Sequence, residues 1–378
     1  MKKVLLTASV QHHFNAFHFP LIDIFHENGF EVEIAAHDVM GGEQHESLKQ
    51  KTDKIYDIPF ERSPFSLKNK EAYRQLKKVI DENSYDIINC NTPVASIVTR
   101  LAARKSRKKG TKVVYTAHGF HFYKGASKLN WLVFYPLEKV FGKLFTDCII
   151  TICDEDEANA IKHGLCKNIK RIHGVGVNGE RFVPSDEDTK ADLRKEYSIE
   201  KDVKVCLCTG ELNANKNQQM FVSALPEVVK ANPNFRLMFA GVGDKEAELR
   251  NLAKNLGVEE NVEFLGFRTD IDKLIAVSDF ICAGSYREGL PVNIIEGMLS
   301  AKPAVVSHNR GHNELVEDGV SGFFVEFGDT KGVADAFNKL CADNELCEKM
   351  GRAAYERSEK YSCRSVEKEL RAIYNELI

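Results

Sequence analysis

The segment CAGSYREGLPVNIIEGMLSAKPAVVS, residues 282–307, predicts a strand, a glycine turn, a helix and a second strand. Its first apolar run, Asp279–Ala283, is short and is followed by Gly284, which is typical of a buried strand. Pro291 stands where the helix begins, a position at which proline costs no hydrogen bond, and Pro303 follows its end. The free backbone N–H groups of such a helix start favour a phosphate. The segment therefore predicts one unit of a parallel sheet, with an anion site above the strand end.

Strand and helix patterns alternate on both sides of this segment. Candidate strands of the first half are Lys3–Thr7, Glu31–Ala35, Lys54–Asp57, Asp86–Cys90, Lys112–Thr116, Cys148–Ile152 and Ile169–His173. The second half repeats the pattern from Val203–Thr209 onward. Such alternation predicts an α/β protein with parallel sheets covered on both faces, which bind ligands at the carboxyl ends of their strands. We expect two domains, residues 1–180 and 181–360, followed by a helix in residues 361–378.

Length and composition agree with a two-domain globular protein. The chain has 378 residues, of which 43% are hydrophobic. It has no apolar run of about 18 residues, so we expect no transmembrane helix, and the N-terminal apolar run is short enough to be a first strand rather than a signal peptide. The ten cysteines are scattered singly, which favours buried thiols in a reducing compartment. We therefore expect a cytoplasmic location.

Charge is divided unevenly along the chain. Residues 1–180 hold 26 Lys and Arg against 21 Asp and Glu, whereas the remainder holds 26 against 34. A basic first half indicates an anionic partner surface, although random asymmetry on a solvated surface is the alternative. The segment Lys128–Phe145 combines lysines with aromatic residues and can lie on an anionic membrane, with Trp131, Phe134 and Phe141 toward the lipid. The other interpretation is a core helix with a basic outer face, and Pro136 should kink or split it.

Three motifs share the order and spacing of a known family. Glu288 and Glu296 are eight positions apart, with Gly-Leu-Pro after the first, and Gly210-Glu211-Leu212 is followed by Lys216. The third motif is His118-Gly119, within the run HGFHFYKGA of residues 118–126. The set covers nearly the whole chain and resembles glycosyltransferase family 4, whose members are retaining enzymes of the GT-B fold. The third motif resembles the sub-type that builds bacterial capsule, exopolysaccharide or lipid-linked glycans.

This resemblance implies two Rossmann-like doubly wound domains facing across a cleft. The first would bind the acceptor, the second the nucleotide sugar, and the C-terminal helix would cross back to the first. The implied reaction transfers a hexose or N-acetylhexosamine from a UDP-sugar to a lipid-linked glycan, with retention, at the inner face of the membrane. Two alternatives remain open: a UDP-sugar 2-epimerase of the same fold, or a non-catalytic nucleotide-sugar-binding protein. We expect no nucleic-acid partner.

The resemblance also implies roles for individual residues. His118 and Glu288 would be catalytic, Lys216 would face the donor phosphate and Glu296 the ribose. The implied donor-binding residues are Gly210, Lys216, Phe267, Arg268, Glu288, Gly289, Leu290, Pro291 and Glu296. Many relatives have an arginine where this chain has Glu211, so we expect Arg268 or Arg287 to supply the missing phosphate contact.

The segment Ser9–His18 follows the first strand, and we predict an acceptor-side loop there containing His12, His13 and His18. Related enzymes often have glycines at this place and this chain has none, so the glycine role is not carried over. Adjacent histidines in an extended loop cannot face one site, and the chain has no Asp-x-Asp motif. We therefore predict no metal and no cofactor besides the donor.

Overall fold

The computed structural model describes residues 2–39, 42–61, 63 and 66–377, without the side chains of residues 42–44. The chain divides into two compact units. One consists of Met1–Gly176 with Cys363–Ile378, and the other of Val177–Ser362. The change of unit falls at residue 177, four positions before the expected boundary, and the C-terminal segment is part of the first unit.

The first unit is a parallel sheet with helices between its strands. Its described strands are β1 (Lys2–Val10), β2 (Phe30–His37), β3 (Lys54–Asp57), β4 (Ile87–Asn91), β5 (Lys112–Ala117), β6 (Cys148–Thr151) and β7 (Ile169–Arg171). Its described helices before residue 176 are α1 (His12–Phe17), α2 (Phe19–Glu27), α3 (Gly42–Lys51), α4 (Lys68–Glu82), α5 (Pro93–Ala102), α6 (Arg104–Arg107), α7 (Lys128–Phe145) and α8 (Asp154–His163). The strands lie in the order β3-β2-β1-β4-β5-β6-β7. Central strands such as β4 are buried at every residue, because helices cover both faces.

The second unit repeats this architecture. Its strands are β8 (Val205–Thr209), β9 (Arg236–Ala240), β10 (Val262–Gly266), β11 (Phe280–Ala283), β12 (Ala304–Ser307) and β13 (Gly322–Val325). Its helices are α9 (Glu187–Glu196), α10 (Gln219–Ala231), α11 (Glu246–Asn255), α12 (Ile271–Val277), α13 (Val292–Leu299), α14 (Arg310–Leu315), α15 (Thr330–Ala342) and α16 (Asn344–Ser358). The parallel sheet has the order β10-β9-β8-β11-β12-β13, so the order reverses between β8 and β11. The prediction of an α/β protein with two Rossmann-like sheets is confirmed.

The final helix, α17 (Cys363–Leu377), packs against α2 of the first unit. It is strongly amphipathic, and its apolar face buries Val366, Leu370, Ile373 and Tyr374. The Tyr374 hydroxyl accepts a hydrogen bond from Asn89 Nδ2 of β4 at 2.9 Å. The predicted return of this helix to the first unit is therefore confirmed.

Two local predictions were wrong. The segment Ser9–His18 is not an extended loop, because β1 continues to Val10 and α1 occupies His12–Phe17. This segment contains no glycine, and glycine is the residue that most often disfavours a helix apart from proline. The absence that makes a loop unusual here is therefore compatible with a helix. The second concerns α7, which Pro136 does not split, because one helix runs from Lys128 to Phe145. Pro136 and Leu132, whose carbonyl loses its helical partner, both lie on the exposed side, so water can solvate that carbonyl.

Among the described helices, none is both long enough and apolar enough to cross a membrane.

Candidate active site

The second unit gathers its polar loops at the point where the strand order reverses. The loops after β8, β11 and β12 all leave the carboxyl ends of neighbouring strands. In doubly wound sheets this edge is where ligands bind, because the loops on either side of the reversal diverge and leave a crevice. Lys216, Glu288 and Arg310 lie in or just after these three loops.

The loop after β8 begins at Gly210, which adopts a φ of 130° that side chains disfavour. Leu212 then donates its N–H to the Val242 carbonyl at 3.0 Å, which fixes the loop against the end of β9. The Asn213 side chain accepts the Lys216 N–H at 3.0 Å and closes a turn. These hydrogen bonds fold the loop so that the Lys216 side chain lies above Gly210. A Cβ added to Gly210 would be 3.5 Å from Lys216 Cε.

Lys216 and Glu288 form an ion pair. Lys216 Nζ donates to Glu288 Oε1 at 2.7 Å, although the residues are 72 positions apart. Their side chains are only 23% and 16% exposed, so the pair is largely removed from water. Charge-assisted hydrogen bonds of this kind are stronger than neutral ones. The motif of the β8 loop and the motif of the β11 loop thus converge on a single ion pair.

Helix α13 begins directly after this pair, with Pro291 as the residue that precedes its first turn. Within the described residues, no hydrogen bond to protein is recorded for the N–H groups of Gly289 or Leu290. Gly311 of α14 closely approaches this turn: a Cβ there would lie 2.7 Å from the Gly289 carbonyl oxygen. The site therefore presents N–H groups and the positive end of a helix dipole beside Lys216.

Two polar residues of α14, the helix that follows β12, belong to this edge and were missed in the sequence. Arg310 Nε donates to the Glu288 carbonyl oxygen at 2.8 Å and so supports the β11 loop. His312 is fully buried, its Nδ1 contacts the Ser307 carbonyl at 2.7 Å, and burial lowers its pKa to about 4. The signal was present in the run His-Asn-Arg-Gly-His after a predicted strand, at the edge where ligands bind.

Glu296 lies one turn into α13 and is mostly buried. Burial raises the pKa of its carboxyl to about 7, an effect opposed by the positive charge of Arg181 and strengthened by the negative charge of Asp272. The carboxyl therefore exchanges its proton near neutral pH. A ligand that donates hydrogen bonds to it would favour the ionised form.

Phe267 and Arg268 follow the end of β10, two strands away from β8. Phe267 is 73% exposed, so its ring is accessible for stacking by a nucleotide base. Arg268 Nε donates to Asp270 Oδ1 at 2.8 Å, and this bond holds the pKa of Asp270 below its usual value. Asp270 thus neutralises Arg268, whereas Arg310 lies beside Glu288 of the ion pair.

The first unit brings three histidines together at the corresponding edge of its own sheet. His118 follows β5, and its Nε2 lies 3.1 Å from Oδ1 of Asn91 and 3.3 Å from Nε2 of His13. His18 is buried beside them, with its ring centroid 5.5 Å from that of His118. Burial lowers the pKa of His118 to about 4, and it also lowers the pKa of His13 and of His18. All three imidazoles are therefore neutral at pH 7.

The exposed His12 does not share this cluster. Residues 12–17 are helical rather than extended, so adjacent histidines need not share a site for a cluster to form. The helical turn of α1 places His13 and His18, rather than His12 and His13, beside His118.

The fold is that of GT-B glycosyltransferases. HepE of Anabaena, solved in complex with UDP, aligns with a TM-score of 0.79 over 100% of both chains, at 23% sequence identity. The family model described as "Glycosyl transferases group 1" matches residues 189–357, and the model "Glycosyltransferase Family 4" matches residues 21–176. The two matches fall on the second and the first unit respectively.

Two relatives in sequence agree with this class. EpsD of Bacillus subtilis, named as a glycosyltransferase, is 41% identical over 99% of this chain and 96% of its own. A galactosyltransferase of Escherichia coli, named for UDP-Gal and a GlcNAc-diphosphoundecaprenol acceptor, is 28% identical over 74% of this chain and 72% of its own. The chain belongs to glycosyltransferase family 4, as the three sequence motifs predicted.

Proposed function

We propose that this glycosyltransferase moves a hexose or N-acetylhexosamine from a UDP-sugar to a lipid-linked glycan in the synthesis of a bacterial surface polysaccharide. The main observation that supports a UDP-sugar donor is the Lys216–Glu288 ion pair beside the start of α13. A departing diphosphate must be neutralised as the glycosidic bond breaks, and a lysine with a helix N-terminus can do this without a metal. The resemblance adds retention of configuration, with His118 contacting the donor sugar.

The names of relatives support the substrates in this proposal. HepE was solved with UDP-glucose as well as with UDP, and the galactosyltransferase of Escherichia coli is named for a UDP-sugar and a diphosphoundecaprenol-linked acceptor. We propose the same donor nucleotide and the same class of acceptor for this chain. The expected location is the inner face of the cytoplasmic membrane.

A donor screen tests the proposal. Thermal unfolding is measured with UDP-hexoses, UDP-N-acetylhexosamines and GDP- or ADP-sugars, since a ligand of the native state raises its unfolding temperature. The protein is then incubated with the best UDP-sugar, with and without a polyprenyl-diphosphate-linked sugar. Transfer that needs the acceptor is expected. Conversion of the UDP-sugar to its epimer without acceptor would favour the epimerase alternative, and stabilisation by UDP-sugars with neither reaction would favour a binding protein.

Transfer should not require a divalent metal. Lys216 and the start of α13 supply the positive charge for the diphosphate, so we expect full activity in excess EDTA. The measurement compares initial rates before and after chelation, with magnesium and manganese added back separately. Complete loss that either metal restores would mean that the diphosphate is neutralised in another way.

Glu296 should make donor binding depend on pH. Ribose hydroxyl groups donating to its carboxylate would lower a pKa that stands at about 7 in the free protein. Binding should then release a proton, and affinity for UDP should weaken as pH falls from about 8 to about 6 because protonated Glu296 must first ionise.

Calorimetry in buffers of different ionisation enthalpy measures that proton. The Glu296→Gln variant should bind UDP more weakly, mainly through a higher donor KM, and should lose the pH dependence. The exposed Glu326 provides a matched control, since Glu326→Gln should retain the proton release. Equal proton release by wild type and Glu296→Gln would remove Glu296 from the donor site.

We propose that the outer face of α7 binds the membrane. Its aromatic residues are only partly exposed: the Trp131 ring contacts Phe122, and the Phe134 ring stacks on His121 at 4.3 Å. The aromatic residues expected to face lipid are therefore less exposed than several aliphatic residues of the same helix. The exposed positions form one stripe along the helix, Leu129, Leu132, Pro136, Val140 and Leu144. Lys128, Lys139 and Lys143 lie beside or within this leucine stripe, a pattern that suits an anionic bilayer.

The protein should therefore float with anionic liposomes at low salt and less at high salt. Each lysine near the surface contributes about 1 kcal/mol, an attraction that salt screens. The double substitution Leu129→Glu with Leu132→Glu should abolish most of this binding, because it places two acids on the stripe. Val320→Glu, at an exposed apolar position of the second unit, is the control and should leave flotation unchanged. Flotation of the double variant equal to wild type would exclude the stripe as the membrane contact.

A further inference from the structure

The three histidines of the first unit lie close enough to share one ion. One ring nitrogen from each of His13, His18 and His118 lies within 4.8 Å of the others. Tetrahedral zinc with Zn–N bonds of about 2.0–2.1 Å holds its nitrogen ligands about 3.4 Å apart and their ring centroids about 5 Å apart. The Nε2 atoms of His13 and His118 are 3.3 Å apart, and the three ring centroids are separated by 4.6, 4.9 and 5.5 Å. The cluster is thus near the geometry of a three-histidine metal site.

Hydrogen bonding among the histidines is incomplete. Asn91 donates its Nδ2 to Asn89 Oδ1 at 2.8 Å, so its own Oδ1 is an acceptor, and the proton shared with His118 belongs to His118 Nε2. That one proton also faces His13 Nε2, and the Nε2 of His18, which is 96% buried, has no hydrogen-bond partner among the described residues. A buried polar atom without a partner carries a free-energy cost. One proton, on His118 Nε2, thus faces both Asn91 and His13, and none faces His18 Nε2.

We propose that His13, His18 and His118 form a binding site for one transition-metal ion of the zinc type. Neutral imidazole suits Zn²⁺, Co²⁺, Ni²⁺ and Cu²⁺, whereas Mg²⁺ and Ca²⁺ prefer oxygen ligands. Binding requires His118 to carry its proton on Nδ1, which frees Nε2 for the metal. Asn91 Oδ1, which then no longer receives that proton, would be free to accept a hydrogen bond from a metal-bound water. His13 and His118 are partly exposed, so an ion can enter from solvent.

The site shares His118 with the proposed contact to the donor sugar, but none of its ligands belongs to the charges proposed for the donor diphosphate, which lie in the second unit. The proposal therefore leaves the expectation of activity in EDTA unchanged. It also does not depend on the transferase assignment, because it concerns metal affinity alone.

The test is a Zn²⁺ titration of metal-free protein in competition with a chromophoric chelator. Wild type should bind one equivalent of Zn²⁺. His18→Phe and His13→Phe keep an aromatic ring of similar size but remove a ligand, so each should weaken Zn²⁺ binding by at least about 100-fold. Loss of a residue that only hydrogen-bonds to a ligand costs at most about that much. His26→Ala, which removes an exposed histidine of α2, is the matched control and should bind like wild type. Visible absorption of the Co²⁺ form should show tetrahedral bands in wild type and the control only.

Circular dichroism of each variant confirms that the fold is retained. The proposal is overturned if wild type and His18→Phe bind Zn²⁺ equally, or if His26→Ala loses as much affinity as His18→Phe. It is also overturned if Co²⁺ added to wild type keeps the spectrum of the free hexaaqua ion, since no histidine would then be bound.

Discussion

Lys216→Ala should lower kcat/KM for the UDP-sugar by roughly 30- to 1000-fold, which corresponds to about 2–4 kcal/mol of lost transition-state stabilisation. Negative charge develops on the diphosphate as the sugar leaves, and Lys216 is the cation that the β8 loop holds at this edge of the second unit. The substitution also leaves the Glu288 carboxylate largely buried without its partner. That unpaired charge should repel the diphosphate, so affinity for UDP itself should fall as well.

Steady-state kinetics and UDP binding by calorimetry measure both effects. Lys245→Ala is the matched control, because Lys245 follows the neighbouring strand β9 but pairs with Glu248 on the surface. It should leave both quantities within about twofold of wild type. If Lys216→Ala kept its rate at saturating and at limiting donor, Lys216 would not be the phosphate contact.

Glu288→Gln should lower kcat by about 100-fold or more while binding UDP as tightly as wild type or more tightly. In the free protein Glu288 neutralises Lys216 through a 2.7 Å contact, so an incoming diphosphate must compete with it. Glutamine removes that competition and leaves Lys216 fully available. The rate should nevertheless fall, because we propose that the carboxylate acts near the sugar carbon where positive charge develops. A change that lowers kcat without raising KM marks an interaction made in the transition state.

UDP affinity should thus fall in Lys216→Ala and stay equal or rise in Glu288→Gln, which distinguishes the roles of the two residues of the ion pair. The double variant should show a coupling energy of about 0.5–3 kcal/mol, as expected for residues in direct contact. Glu326→Gln provides a control for the same chemical change at an exposed position. Weaker UDP binding by Glu288→Gln with an unchanged kcat would assign Glu288 to ground-state binding instead.

Most of the fold could be predicted because its elements have strong local patterns. The strand Lys54–Asp57 was predicted with the bounds that the structure shows, and the strands predicted at Lys112–Thr116 and Cys148–Ile152 each differ from the observed bounds by one residue. The segment before His18 was misread because its neighbours in the sequence suggested a loop, whereas helix formation there depends on packing of the buried Phe14. Which face of α7 is exposed was also not predictable, since aromatic and aliphatic residues are both apolar.

The site was predictable only as separate motifs. Lys216 and Glu288 were each selected, but their contact joins loops 72 positions apart, and no local pattern encodes it. The same holds for His13 and His118, which meet across 105 positions. The run His-Asn-Arg-Gly-His marks Arg310 as a residue of the ligand-binding edge, but its contact with the Glu288 carbonyl of another loop has no local signal. The motifs therefore identify the residues of the site, whereas their ion pairs and hydrogen bonds depend on the tertiary structure.

The position of α17 has a consequence for the order in which the protein can fold during synthesis. The ribosome makes the whole second unit, Val177–Ser362, before the helix that covers α2 of the first. Until then Phe25, whose ring packs 4.8 Å from that of Tyr374, lacks this cover, and Asn89 lacks the Tyr374 hydroxyl as one of its hydrogen-bond partners. N-terminal domains generally fold first as chains emerge. Here the second unit can finish while the first still exposes an apolar surface, so the nascent first unit is the part that would need a chaperone.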